Sequence, residues 1–60
     1  MHKYLEIKEH GTNKVVFRLD VTFLESGQAG KLHNETNSRL NHDKYSLELN
    51  ESEIELEKIG

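Results

Sequence analysis

The chain contains no cysteine, no proline and only four glycines among its 60 residues. Without cysteine there are no disulfides and no thiolate metal sites, and such a composition suits the cytoplasm. No apolar run approaches the ~18 residues that a membrane span needs. The first ten residues, MHKYLEIKEH, hold no apolar stretch of the signal-peptide kind. A basic excess is also missing, because the formal net charge is −3. Nucleic-acid binders show a basic stripe or patch, and none stands out here. The acidity is uneven. Residues 1–45 are close to balanced, whereas residues 46–60 set Glu48, Glu51, Glu53, Glu55 and Glu57 against Lys58 alone.

Short length adds a further restriction. Sixty residues make one small domain, 1–60, which buries only about 60% of the surface that its unfolded chain exposes. Domains of this size often lean on disulfides, a metal or a partner subunit. With no cysteine, a homodimer is the simplest remaining support.

What the chain does have is alternation. In Lys14–Leu24, KVVFRLDVTFL, the apolar Val15, Phe17, Leu19, Val21 and Phe23 occupy every second position. That period of two places them on one face of a β-strand, with Val16, Arg18, Asp20, Thr22 and Leu24 on the other. β-Branched and aromatic residues suit such a pleated surface. Residues 2–9, HKYLEIKE, read as a charged first strand with Tyr4 on its outer face. Glu9–Asn13 reads as a hairpin turn, since Gly11 and Asn13 tolerate positive φ. Residues 44–50, KYSLELN, return to the strand pattern. A parity change at Ile54 and Leu56 then asks for a turn at Asn50–Glu53 and a fourth strand. Residues 25–43 are polar and thinly apolar, and a mobile loop is the preferred reading. A helix from Gln28 to Asn41 is the competing one, weakened by Asn34, Asn37 and Asn41.

The expected fold is therefore mainly β: one small antiparallel sheet, a meander with Lys14–Leu24 central and a long polar loop. The alternative is an α+β fold with one short helix in 27–42 or 51–59. The expected buried set is Leu5, Ile7, Val15, Phe17, Leu19, Val21, Phe23, Leu47, Leu49, Ile54 and Leu56.

No catalytic motif survives inspection. His33, His42 and Asp43 lack the His-x₃₋₅-His spacing of a structural metal site, and His2 and His10 lie apart from them. Ser26, Ser38, Ser46 and Ser52 sit in no nucleophile elbow. Gly27-Gln28-Ala29-Gly30-Lys31 has too few residues between its glycines for a phosphate loop. So short a chain also has little material to enclose a pocket of ~300 Å³ or more. These absences point away from an enzyme or a cofactor and toward a small protein-binding module. Small regulators or inhibitors of larger proteins, as in phages and mobile elements, are of this kind. The expected contact residues are Val16, Arg18 and Asp20 on the second face of the long strand, and the comb Glu51, Glu53, Glu55 and Glu57. Two alternatives stand beside this: nucleic-acid binding through Arg18, Lys31, Arg39 and Lys44, and a histidine metal site assembled across a dimer.

Overall fold

The computed structural model describes all 60 residues. It contains strand β1 (His2–Glu9), strand β2 (Val15–Asp20), helix α1 (Ser26–Arg39) and strand β3 (Tyr45–Ser52). The strands form a single antiparallel sheet, mostly β in character as expected. The order is β2-β1-β3 rather than that of a meander. β1, not the Lys14–Leu24 segment, is the central strand.

β1 and β2 form the expected hairpin. Glu9 N–H donates to Lys14 O at 2.9 Å and Asn13 N–H donates to Glu9 O at 3.0 Å. Gly11 (φ 90°) and Asn13 (φ 57°) take left-handed conformations in the turn, which glycine and asparagine accept at least cost. A bulge follows. Ile7 pairs with Phe17 but Lys8 with Val15, which leaves Val16 as the extra residue. Val15 therefore belongs with the even-numbered face of β1, and Phe17 with the odd-numbered face.

The strand also stops sooner than the alternation implies. Asp20 Oδ1 accepts the Thr22 N–H at 2.9 Å, and Leu24 N–H turns back onto Val21 O at 3.0 Å. Such an Asx turn redirects the chain. The Thr22 hydroxyl takes the Lys3 N–H in place of a further ladder bond. Val21 is still sealed into the core at 0% exposure, while Phe23, beyond the turn, is 80% exposed.

β2 and β3 both run antiparallel to β1 and hence parallel to each other. Parallel strands need a crossover connection, usually helical. Residues 25–43 supply it as a helix, not as a mobile loop. Fourteen residues rise about 21 Å, close to the roughly 20–26 Å of six- and eight-residue strands. The Gln28 side-chain oxygen accepts the Glu25 N–H at 3.1 Å, which ties down the start. Leu40 leaves the helix in an extended conformation. Only Ala29 of α1 is buried, so tertiary geometry rather than a strong apolar face makes this helix.

The last residues form neither a fourth strand nor a helix. They run from β3 across the even-numbered face to the far side of β2. Leu56 N–H donates to the Tyr4 hydroxyl at 2.8 Å, and Ile59 makes an isolated bridge with Arg18. Gly60 abuts Phe17 so closely that a Cβ would stand 2.7 Å from the ring. With α1 over one face and this strap over the other, Tyr4 and Leu5 are both 1% exposed. Tyr4 is thus a core residue and not an outward one. Of the expected buried set, Leu5 and Val21 are buried and Phe23, Leu49 and Ile54 are exposed. Ile7, Val15, Phe17, Leu19, Leu47 and Leu56 are half-buried.

Gly30 lies in α1 with open space where a Cβ would go. Gly30→Ala is expected to stabilise the fold by about 0.5–1 kcal/mol. A rise of several degrees in Tm by circular dichroism checks it; no rise means that the helix is not formed at this position in solution.

Candidate protein-binding edge

Glu6 sits at the middle of β1, directly opposite Arg18 on β2 and Glu48 on β3. It is 6% exposed. A charge so placed needs partners, and both neighbouring strands provide them. The Arg18 Nε donates to Glu6 Oε2 at 2.6 Å, and the Asn50 amide donates to Glu6 Oε1 at 2.6 Å. Asn50 also reaches Glu48 Oε2 at 3.1 Å, as does the Lys8 ammonium. Two facing glutamates are thereby separated by one amide and two cations. The Asn50 bond and then Lys8 hold the Glu48 carboxyl below its ordinary pKa. At the end of β2, the Thr22 hydrogen bonds do the same for Asp20. Arg18 also donates to the Glu57 carbonyl, at 3.2 Å.

The same register decides which backbone groups face outward. His10 N–H bonds Lys44 O, so the hydrogen-bonded pairs of the β1–β3 ladder are the even-numbered ones. Tyr45, Leu47, Leu49 and Glu51 consequently turn their N–H and C=O groups away from β1. Tyr45 N–H is taken by Asn41 O at 2.9 Å. The N–H and C=O groups of Leu47, Leu49 and Glu51 meet no further strand, because β3 pairs only with β1. The opposite edge differs. Val21 N–H bonds Lys3 O, which leaves Arg18 and Asp20, on the regular side of the bulge, facing out from β2. There Ile59 fills the middle position: Arg18 N–H donates to Ile59 O at 2.9 Å and Ile59 N–H to Arg18 O at 3.3 Å. One edge of the sheet is plugged by the chain itself and the other is open.

The residues expected to make contacts are thus dispersed. Val16 forms the bulge, the Arg18 guanidinium is engaged with Glu6, and Asp20 closes the turn. Glu51 lies in β3, whereas Glu53, Glu55 and Glu57 lie beyond it in the strap, so the four do not line one strand face. Lys31 and Arg39 are exposed on α1, and Lys44 is exposed before β3, whereas the Arg18 guanidinium is engaged with Glu6. The His2 ring stacks on Tyr4 at 6.2 Å and His42 bonds Asn37 O. No group of three or more His, Cys, Asp or Glu side chains is arranged to hold a metal ion, and no helix is long and apolar enough to cross a membrane. What sequence reasoning missed is the β3 edge, whose signal lay in the parity of Tyr45, Leu47, Leu49 and Glu51. Beside it lies a cleft of about 180 Å³ lined by Lys3, Val21, Ser26, Ala29 and Leu49–Glu51. No protein-family model, curated protein or solved structure matches the chain.

Removing one partner of a buried ion pair typically costs 3–5 kcal/mol, whereas replacing both with apolar residues can be near neutral. A domain of this length has roughly 3–9 kcal/mol in total. Arg18→Met is therefore expected to bring the chain close to unfolding, with the double variant Glu6→Met/Arg18→Met recovering most of the loss in urea titrations. Equal losses would show that Glu6 is solvated rather than dependent on Arg18. For Glu48, a lowered folded-state pKa means stabilisation that is present above about pH 4 and lost as pH falls through the lowered value. Asn50→Ala should move the Glu48 carboxyl titration upward in an NMR pH series, and an unmoved titration would contradict the bond.

Proposed function

We propose that this chain is a non-enzymatic protein-binding module that takes an extended strand of a larger protein onto the outer edge of β3. By occupying that strand it regulates or inhibits the larger protein. The observation that carries the reading is the open row of backbone groups at Leu47, Leu49 and Glu51. Strand addition of this kind draws affinity from main-chain hydrogen bonds and specificity from side chains on alternating positions. Support also comes from the opposite edge, where Ile59 already makes this type of bond to Arg18. A second copy of the chain is the other strand able to occupy β3, and would give the homodimer that so small a domain favours. The setting in this proposal is the cytoplasm, which a cysteine-free chain suits.

The test exploits the register. Leu49→Pro deletes an N–H that faces outward, so the ladder to β1 keeps its bonds, and edge strands tolerate proline. Wild-type and Leu49→Pro chains, both verified as folded by circular dichroism, are used to retain proteins from the source cell. A partner held by the wild type and lost with Leu49→Pro is the expected result, with slowed amide exchange at Leu47, Leu49 and Glu51 in the complex. A partner retained equally by both chains places binding elsewhere and overturns the reading.

A further inference from the structure

The open edge is also an acidic one. Glu51 makes no ion pair, unlike Glu6 and Glu48, and it points to the same face as Leu47 and Leu49. Glu53 follows just beyond the strand, exposed. The cleft of about 180 Å³ meets β3 along Leu49–Glu51 and is walled by Val21 and Ala29, with Lys3 of β1 opposite Glu51 but not in an ion pair with it. For scale, a dry cavity of about 150 Å³ accepts a benzene ring.

Resting on the strand-addition reading above, we infer that the ligand is an antiparallel segment of another protein with the pattern basic, any, apolar, any, apolar. Its Lys or Arg stands opposite Glu51, and its apolar residues stand opposite Leu49 and Leu47. In an antiparallel pair, directly opposed side chains share a face with Cβ atoms about 4.5–5.5 Å apart. The residue opposite Leu49 therefore lies on the cleft side of the sheet. The position opposite Glu48 takes a small polar residue, because Lys8 and Asn50 already satisfy that carboxylate.

Charge also selects against a second copy as occupant. Only registers that oppose odd-numbered residues to odd-numbered residues align the outward groups. The register centred on Glu48 sets that carboxylate against its own symmetry mate. The one centred on Leu49 sets Leu47 against Glu51, and the one centred on Leu47 leaves Glu51 beyond the start of the opposing β3, without a strand partner. The first of these three registers opposes like charges and the second sets a carboxylate against leucine.

The probe is a fluorescein-labelled peptide, acetyl-Gly-Lys-Thr-Phe-Thr-Leu-Thr-amide, compared with its counterpart carrying Glu in place of Lys. Fluorescence anisotropy at low salt is expected to show the Lys peptide binding about fivefold tighter or more, with the gap closing as salt screens the pair. Glu51→Lys should invert the preference, and Leu49→Pro should abolish binding of both. N-methylating the Phe amide of the peptide, which faces Leu49, should also abolish binding, whereas N-methylating the preceding Thr should not. That arm leaves the protein untouched. Equal binding of both peptides, lost in Leu49→Pro, overturns the charge rule and leaves strand addition standing. A dimer by light scattering that Leu49→Pro splits, with neither peptide bound, makes the second copy the occupant and overturns the inference while keeping the edge. Peptide binding unaffected by Leu49→Pro and by N-methylation overturns both.

Discussion

The Glu6 carboxylate is the constraint around which the sheet closes. A glutamate at the centre of a strand is tolerable inside a core only when donors reach it from the flanking strands. Arg18 does so from β2 and Asn50 from β3. Either strand placed elsewhere would take away one of the two donors of this buried carboxylate, so the network helps to specify β1 as the middle strand. The strap adds a second tie to the same group of residues. It borrows the Arg18 backbone through Ile59, the guanidinium through the Glu57 carbonyl, and the Tyr4 hydroxyl through Leu56.

This arrangement makes the two edges of the sheet unequal. Both flanking strands expose alternate backbone groups, as edge strands must. On β2 the strap uses the central pair of groups. On β3 nothing does, and the partial exposure of Leu49 beside the α1 cleft leaves an apolar foothold there. Glu51 at the end of β3 and Glu53 just beyond it place exposed carboxylates at this edge.

Much of the fold is legible along the chain. The Glu9–Asn13 hairpin, the strand character of residues 2–9, 15–20 and 45–50, and the burial of Leu5 and Val21 follow from alternation and turn chemistry. Alternation along a strand does not measure its centrality in the sheet. Lys14–Leu24 alternates most cleanly, yet a bulge at Val16 and an Asx turn at Asp20 cut it to a six-residue strand with five residues paired to β1. Phe23 and Ile54 look like core residues by type, but they lie beyond points where the chain leaves the sheet. Helix α1 matches the competing reading of residues 28–41 rather than the preferred loop; composition disfavours it, since Gly27, Gly30, Asn34 and Asn37 are weak helix formers. Its necessity comes from the parallel relation of β2 and β3, a property of the assembled sheet.

Local sequence by itself determined where strands begin to form, which turn joins the first two, and that no cysteine or long apolar run is present. These are short-range matters, set by backbone preferences and side-chain periodicity. Only the tertiary structure decided that β1 is central, that Ser26–Arg39 is a helix rather than a loop, that the final segment straps the sheet, and that β3 keeps an open edge. Each of those depends on which distant groups satisfy one another. Glu6 and Asn50 are 44 positions apart in sequence, so no periodicity along the chain could announce that they would meet.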